Sequence, residues 1–169
     1  MGRSAARQAA LFGLLGAVLF GAKTAMAPLP NIEPVSLLVM VFAVCLGWRG
    51  LYAIYTYVLL DVALWGIGPW SLCYLYVWLV LFCLARLLRA MEHPLGWAVL
   101  SGTFGLLFGA LCALAYWAVG GWAFALSWWM AGIPMDLLHG AGNFVLALTL
   151  FRTLRRWMER LCRWFGFTP

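Results

Sequence analysis

The amino-acid sequence predicts an all-α integral membrane protein, a single domain over residues 1–169 with six transmembrane helices. Of its 169 residues, 66% are hydrophobic and only 9% are charged, and the mean hydropathy is +0.97. A soluble domain carries about a quarter charged residues, so this chain has too few polar side chains to cover a globule in water. The composition excludes a soluble enzyme, a disordered segment and a nucleic-acid-binding domain.

Breaks rich in proline and glycine divide the chain into six apolar stretches, and a spanning helix needs roughly 20 such residues. The breaks are Pro28-Leu29-Pro30-Asn31, Trp48-Arg49-Gly50, Gly66-Ile67-Gly68-Pro69 and His93-Pro94. The predicted spans are 5–27, 34–47, 51–66, 70–90, 95–119 and 134–156. The second and third are short, which predicts tilt or partial unwinding. Residues 120–133 are predicted to form a loop that acts as a lid, and Pro134 to begin the last helix.

The basic residues predict the orientation, because loops on the cytoplasmic side are enriched in Lys and Arg. Of the 11 Lys and Arg residues, all except Lys23 fall on one side of the six-span arrangement. They are Arg3, Arg7, Arg49, Arg86, Arg89, Arg152, Arg155, Arg156, Arg160 and Arg163. Both termini are therefore expected in the cytoplasm, in the plasma (inner) membrane, with residues 152–163 as a basic helix end near anionic lipid. This placement explains the net charge of +6 without a nucleic-acid partner.

The first span has a second interpretation as a cleavable signal peptide. Arginines, an apolar run and Ala25-Met26-Ala27 match the pattern of such a segment. Cleavage would leave five spans with the C-terminus still inside. Retention is favoured because Lys23 directly before the cleavage site is unusual, and because the span carries an ordered stripe of small residues.

Small residues recur at every fourth position of the first span. They are Ala5, Ala9, Gly13, Ala17, Gly21 and Ala25. This spacing makes one slowly winding smooth stripe, and close backbone approach between small residues supplies packing energy in lipid. The stripe either packs against the protein's own helices or docks onto another membrane protein.

Polar side chains gather in the half of the membrane away from the arginines. Apart from Glu92 and Glu159, which lie among the arginines, the remaining charges and their polar neighbours are Lys23, Glu33, Asp61, Asp136, Asn31, His139 and Asn143. Ionisable groups inside a membrane cost about 2.5–3.5 kcal/mol each and tend to mark function. Four segments are therefore predicted to converge on an outer polar pocket.

Simpler interpretations of these residues stay open. Asp136, His139 and Asn143 are spaced to share one helix face, but Asp136 also suits the positive N-terminal end of a helix dipole, with the other two hydrogen-bonded in the core. A metal site would need more ligands than this helix offers. Asp61 shares a face with Tyr57 and Trp65, and a salt bridge with Lys23 is its simplest role.

Aromatic residues crowd the outer side, including Trp70, Tyr74, Tyr76 and Trp78 at the start of the fourth span. They either form the aromatic belt of a membrane interface or stack on a planar ligand in a pocket.

The sequence carries no recognisable catalytic motif. The five cysteines, Cys45, Cys73, Cys83, Cys112 and Cys162, lack a CxxC pair and are predicted to be small buried hydrophobes, neither disulfides nor metal ligands. A phosphate-binding loop, an HExxH motif and a serine nucleophile elbow are all missing. We therefore expect neither an enzyme nor a bound cofactor, and any ATP hydrolysis would belong to another chain.

Four segments together resemble a known family. They are Asn31-Ile-Glu33-Pro34-Val35, the stretch from Leu51-Tyr52-Ala-Ile-Tyr55 to Leu60-Asp61, Tyr74-Leu-Tyr76-Val-Trp78, and Gly132-Ile-Pro134-Met-Asp136-Leu-Leu-His139-x-x-x-Asn143-Phe144. The chain resembles the substrate-binding S component of an energy-coupling-factor (ECF) vitamin transporter, except that Asp61 stands where relatives often carry glutamate.

The resemblance implies a protein that captures a vitamin-like small molecule from outside and works with a transmembrane coupling protein and two ATPase subunits. The implied docking residues on the first helix are Ala9, Gly13, Ala17 and Gly21. The candidate substrate-binding residues are Lys23, Asn31, Glu33, Asp61, Trp70, Tyr74, Trp78, Asp136, His139 and Asn143.

Two other functions remain as alternatives. A six-helix scaffold of the rod-shape-determining protein D type would have no need of charged groups converging on an outer pocket. An intramembrane enzyme would use Asp136 and His139 as an acid/base pair, but the sequence offers no nucleophile or metal set beside them.

Overall fold

The structure is a computed structural model that describes residues 2–29 and 31–166, with side chains from residue 5 onward. Pro30, in the first predicted break, and the side chain of Arg3 lie outside this part. Most of the described residues are helical, and none of them lies in a strand. The helices are α1 (Gly2–Ala25), α2 (Val35–Leu46), α3 (Gly50–Trp65), α4 (Pro69–Leu87) and α5 (Pro94–Trp164).

Four helical stretches of the described chain are long and apolar enough to cross a membrane. They are Ala5–Ala25, Val35–Trp65, Pro69–Leu87 and Pro94–Trp164. The second stretch comprises α2 and α3, joined by the short 3₁₀ turn Gly47–Arg49. The predicted shortness of these two segments is confirmed, since α2 has only 12 residues and α3 has 16.

Helix α5 folds back on itself at Gly121, which has a left-handed φ of 77° that favours glycine. Its arms, 94–120 and 122–164, run antiparallel. Backbone atoms of Gly140 lie within 3 Å of the position that a Cβ on Gly105 would occupy, and the rings of Trp97 and Phe151 stack with their centroids 4.3 Å apart.

The prediction of a loop over residues 120–133 is wrong, because all of these residues except Gly121 are helical. A single glycine is enough to reverse the chain, and the Tyr116 and Trp128 rings stack across the reversal at 3.9 Å. Pro134 lies inside the second arm and does not begin a helix.

Helix α2 lies at the centre of the bundle, and every residue in it except Leu38 is buried. Its side chains are apolar apart from Ser36, whose hydroxyl accepts a hydrogen bond from Asn143 Nδ2 at 3.0 Å. A helix that is apolar all round fits only where other helices surround it.

The helices align so that the bundle has two chemically different ends. Helices α1 and α3 run parallel, with Phe12 against Tyr52 near one end and Lys23 against Asp61 near the other. At the first end, Arg7 lies 5.8 Å from the Phe165 ring centroid, and Arg86 Nη1 donates to the Ala43 carbonyl at 3.2 Å. We call this the arginine end. The opposite end, which carries the non-helical segments 26–29, 31–34 and 66–68, is the cavity end.

The small-residue stripe of α1 faces away from the bundle. Its alanines and Gly21 are exposed, and a Cβ added to Gly13 or Gly21 would meet nothing within 4 Å. Helix α1 buries Leu11, Leu15 and Leu19 on its other side. Packing against the protein's own helices therefore does not account for the stripe.

The expectation that no cysteine forms a disulfide is wrong for one pair. Cys73 of α4 and Cys112 of the first α5 arm are disulfide-bonded, with their Cα atoms 5.1 Å apart. The two helices are antiparallel neighbours, and this contact brings together residues that are 39 positions apart in sequence. Cys45, Cys83 and Cys162 are free thiols.

Candidate functional site

A cavity of about 480 Å³ opens at the cavity end of the bundle. It lies where the ends of α1 and α3, the start of α4 and the segments 26–29 and 31–34 meet. Its lining residues are Lys23, Thr24, Met26, Ala27, Leu29, Asn31, Ile32, Glu33, Asp61, Trp65, Trp70 and Tyr74. The volume lies within the range of small-molecule sites, about 300–1,000 Å³.

An ion pair between α1 and α3 forms one wall of this cavity. Lys23 Nζ lies 2.9 Å from each Asp61 carboxylate oxygen and donates a further hydrogen bond to Tyr74 Oη at 3.3 Å. The Asp61 side chain is 1% exposed and the Lys23 side chain 22%. The salt bridge considered from the sequence is therefore present, and it joins two parallel helices at their ends.

Glu33 supplies a second carboxylate from the loop before α2. Burial raises the pKa of Glu33 to about 7; nearby Lys23 lowers the pKa and Asp61 raises it. The closest basic atom is His139 Nε2, at 4.0 Å from Glu33 Oε1. His139 itself is buried, and its Nε2 has no hydrogen-bond partner among the described residues.

Aromatic rings continue from the cavity into the core. Trp70 and Tyr74 line the cavity with their ring centroids 5.4 Å apart. Trp78, one turn deeper, contacts Tyr74 at 5.3 Å but is fully buried and does not line the cavity. Tyr57 lies beneath Lys23, with its ring centroid 5.7 Å from Nζ.

Asp136 lies in a neighbouring cavity of about 390 Å³ between the two arms of α5. Its Oδ1 accepts a hydrogen bond from the backbone N–H of Gly109 at 3.0 Å, and glycine is required there because a Cβ would overlap the carboxylate. Asn31 lines both cavities and donates to the Met135 carbonyl at 3.1 Å.

The structure thus brings six of the ten candidate binding residues to one cavity: Lys23, Asn31, Glu33, Asp61, Trp70 and Tyr74. Asp136 lines the second cavity, His139 Nε2 lies 4.0 Å from Glu33 Oε1, and Asn143 donates a hydrogen bond to Ser36. Trp65 and Ile32 also line the first cavity. The shared face with Asp61 pointed to Trp65, whereas no sequence signal singled out Ile32.

The site combines two carboxylates, one ammonium group and aromatic walls, which suits binding of a small polar ring compound. No group of three or more potential metal ligands occurs among the described residues. Comparisons of the chain with protein-family models, with curated proteins and with solved structures gave no match.

Proposed function

We propose that this protein is the substrate-binding S component of an ECF-type importer and captures a vitamin-like micronutrient from the outer side of the membrane. The cavity at one end of the bundle carries the proposal, because polar groups from three segments converge there inside an otherwise apolar chain. Delivery inward would require a transmembrane coupling protein and two ATPase subunits. The sequence resemblance supports this assignment.

In the proposed topology the chain crosses the membrane six times, with both termini in the cytoplasm. The crossings are α1, α2, α3, α4 and the two arms of α5. Two features favour the cavity end as the outer end. The arginines lie at the opposite end, as the positive-inside rule requires. The Cys73–Cys112 disulfide lies towards the cavity end, and disulfides persist in oxidising surroundings.

The exposed stripe of α1 supports a partner within the membrane. Ala9, Gly13, Ala17 and Gly21 leave a smooth surface, and a Cβ added to either glycine would meet nothing within 4 Å. A second membrane helix can approach the backbone closely there. The coupling protein would occupy this surface.

A thiol-labelling experiment tests the topology. Ile67 and Trp164 are 87% and 89% exposed and lie at opposite ends of the bundle, so they form a matched pair. In a chain with Cys45, Cys83 and Cys162 replaced by alanine, we expect Ile67→Cys to react with a membrane-impermeant maleimide on intact cells. Trp164→Cys should react only after lysis. The reverse pattern would place the cavity in the cytoplasm and overturn the proposal.

A thermal-shift experiment tests the function. The purified protein in lipid nanodiscs is heated with each member of a panel of water-soluble vitamins. We expect one of them to raise the melting temperature, because a ligand at a thousandfold excess over its Kd stabilises the folded state by roughly 4 kcal/mol. Glu92→Gln, at the arginine end, should respond like the parent chain. The absence of any shift, together with co-purification of cell-wall synthesis proteins, would favour the scaffold function.

A further inference from the structure

The charge balance of the cavity indicates which ligands fit, provided that the proposed binding function holds. An ammonium group has three N–H donors. Lys23 has three acceptors: the two oxygens of Asp61 and the hydroxyl of Tyr74. Its positive charge is thus balanced within the wall, and no donor remains for an anionic ligand.

Glu33 is the ionisable group of the cavity that has no close partner among the described residues. Its carboxylate lines the cavity, and no described residue donates a hydrogen bond to it. His139 Nε2, at 4.0 Å, is beyond hydrogen-bond distance. The cavity therefore offers an unpaired acceptor with negative character, in addition to an ion pair that is already complete.

The aromatic walls of the cavity also favour a positively charged ligand. The faces of aromatic rings attract cations, and Lys23 Nζ already lies 4.9 Å from the Tyr74 ring centroid. Trp65 and Trp70 line the same space. A planar ring could stack on these residues while its positive centre faces the carboxylate.

We propose that the cavity selects a small organic cation, a planar nitrogen heterocycle whose positive centre lies against Glu33. Neutral and anionic compounds of the same shape bind more weakly, because only the cation neutralises Glu33 without displacing Asp61 from Lys23.

Three probes that share the same ring but differ in charge test the selection for a cation. They are nicotinamide methylated on its ring nitrogen (a permanent cation), nicotinamide (neutral) and nicotinate (an anion). Binding is measured by calorimetry on the whole protein in nanodiscs. We expect the cation to bind at least about tenfold more tightly than either other probe, as for one charge-assisted contact.

Two carboxylate variants identify the residue responsible. Glu33→Gln should lower the affinity for the cation by about tenfold and change the affinity for nicotinamide little, since only binding of the cation depends on the charge of Glu33. Glu92→Gln, the same change at the arginine end, should leave all three affinities unaltered. Glu33→Gln is expected to fold, because the glutamate forms no hydrogen bond that the amide would lose.

The pH dependence gives a second readout. Burial raises the pKa of Glu33 to about 7, so the carboxyl is mostly protonated at lower pH and mostly ionised at higher pH. Affinity for the permanent cation should rise about tenfold between pH 6 and pH 8 and stay flat in Glu33→Gln. The charged and titratable groups around Glu33 are Lys23, Asp61, His139, Tyr57 and Tyr74. The same slope in His139→Gln would exclude the imidazole as the titrating group.

The outcomes separate this inference from the proposed function. Equal or tighter binding of nicotinamide or nicotinate overturns the cation selection. The cation selection is also overturned if none of the probes binds at concentrations up to roughly 10 mM. In both of these cases, a vitamin that raises the melting temperature still supports the proposed function. If neither the probes nor any vitamin binds, both fail.

Discussion

Replacing Asp61 by asparagine is expected to destabilise the protein by about 3 kcal/mol, because removing one partner of a buried ion pair leaves the other charge uncompensated. Asp61 is 1% exposed and accepts two contacts at 2.9 Å from Lys23. The Lys23 side chain retains 22% exposure, so its ammonium group keeps some access to water and the loss lies at the low end for such pairs. Unfolding in mixed detergent micelles measures the change.

Two further variants show whether the lost charge of Asp61 causes the loss of stability. Glu33→Gln makes the same chemical change at another carboxylate that lines the cavity and should cost little stability, since Glu33 has no close cationic partner. Lys23→Met combined with Asp61→Leu should regain most of the loss, because a buried pair is often replaceable by apolar side chains. If Asp61→Asn is as stable as Glu33→Gln, the pair does not hold α1 to α3.

The sequence predicts well those features that depend on local signals. The Gly66-to-Pro69 break ends α3 and begins α4, because glycine permits the turn and proline suits a first helical turn. The short second and third segments follow in the same way from the spacing of breaks. The meeting of Lys23, Glu33 and Asp61 was also predictable, since ionisable residues in an apolar chain have few places to be satisfied.

Features that depend on the packing of whole helices were not predictable. Cys73 and Cys112 bond because α4 and the first α5 arm are neighbours, and no spacing rule contains that information. Trp78 shares a helix with Trp70 and Tyr74, yet it points into the core. Asp136 was assigned to the outer pocket, but the glycine at position 109 opens a separate space for it between the arms of α5.

Helix α1 links the candidate site to the candidate docking surface. Lys23, at its cavity end, pairs with Asp61, while the small residues along its outer face remain uncovered. Only the inward side, including Leu15 and Leu19, packs against the bundle. A change on the outer face can therefore disturb assembly without reaching the cavity, and this separation makes the two activities individually testable.

On the proposed function, Gly13→Leu is expected to lower uptake strongly while leaving ligand affinity unchanged. A Cβ at this position meets nothing within 4 Å, so the isolated protein accommodates the leucine. A partner helix packed on the stripe would meet the added side chain, and overpacking costs about 1–3 kcal/mol. That cost weakens the complex roughly 5- to 150-fold. Pull-down with the coupling protein and uptake into proteoliposomes measure the loss.

Leu107→Phe is the matched control, because Leu107 is 51% exposed on the first arm of α5, a helix that does not carry the stripe. It adds bulk to an exposed apolar surface away from the stripe, so assembly and uptake should stay near the parent level. Ala17→Leu, on the stripe, should behave like Gly13→Leu. If both stripe variants assemble as the parent does, the coupling protein binds elsewhere, and the smooth face of α1 is a lipid-facing surface with no part in transport.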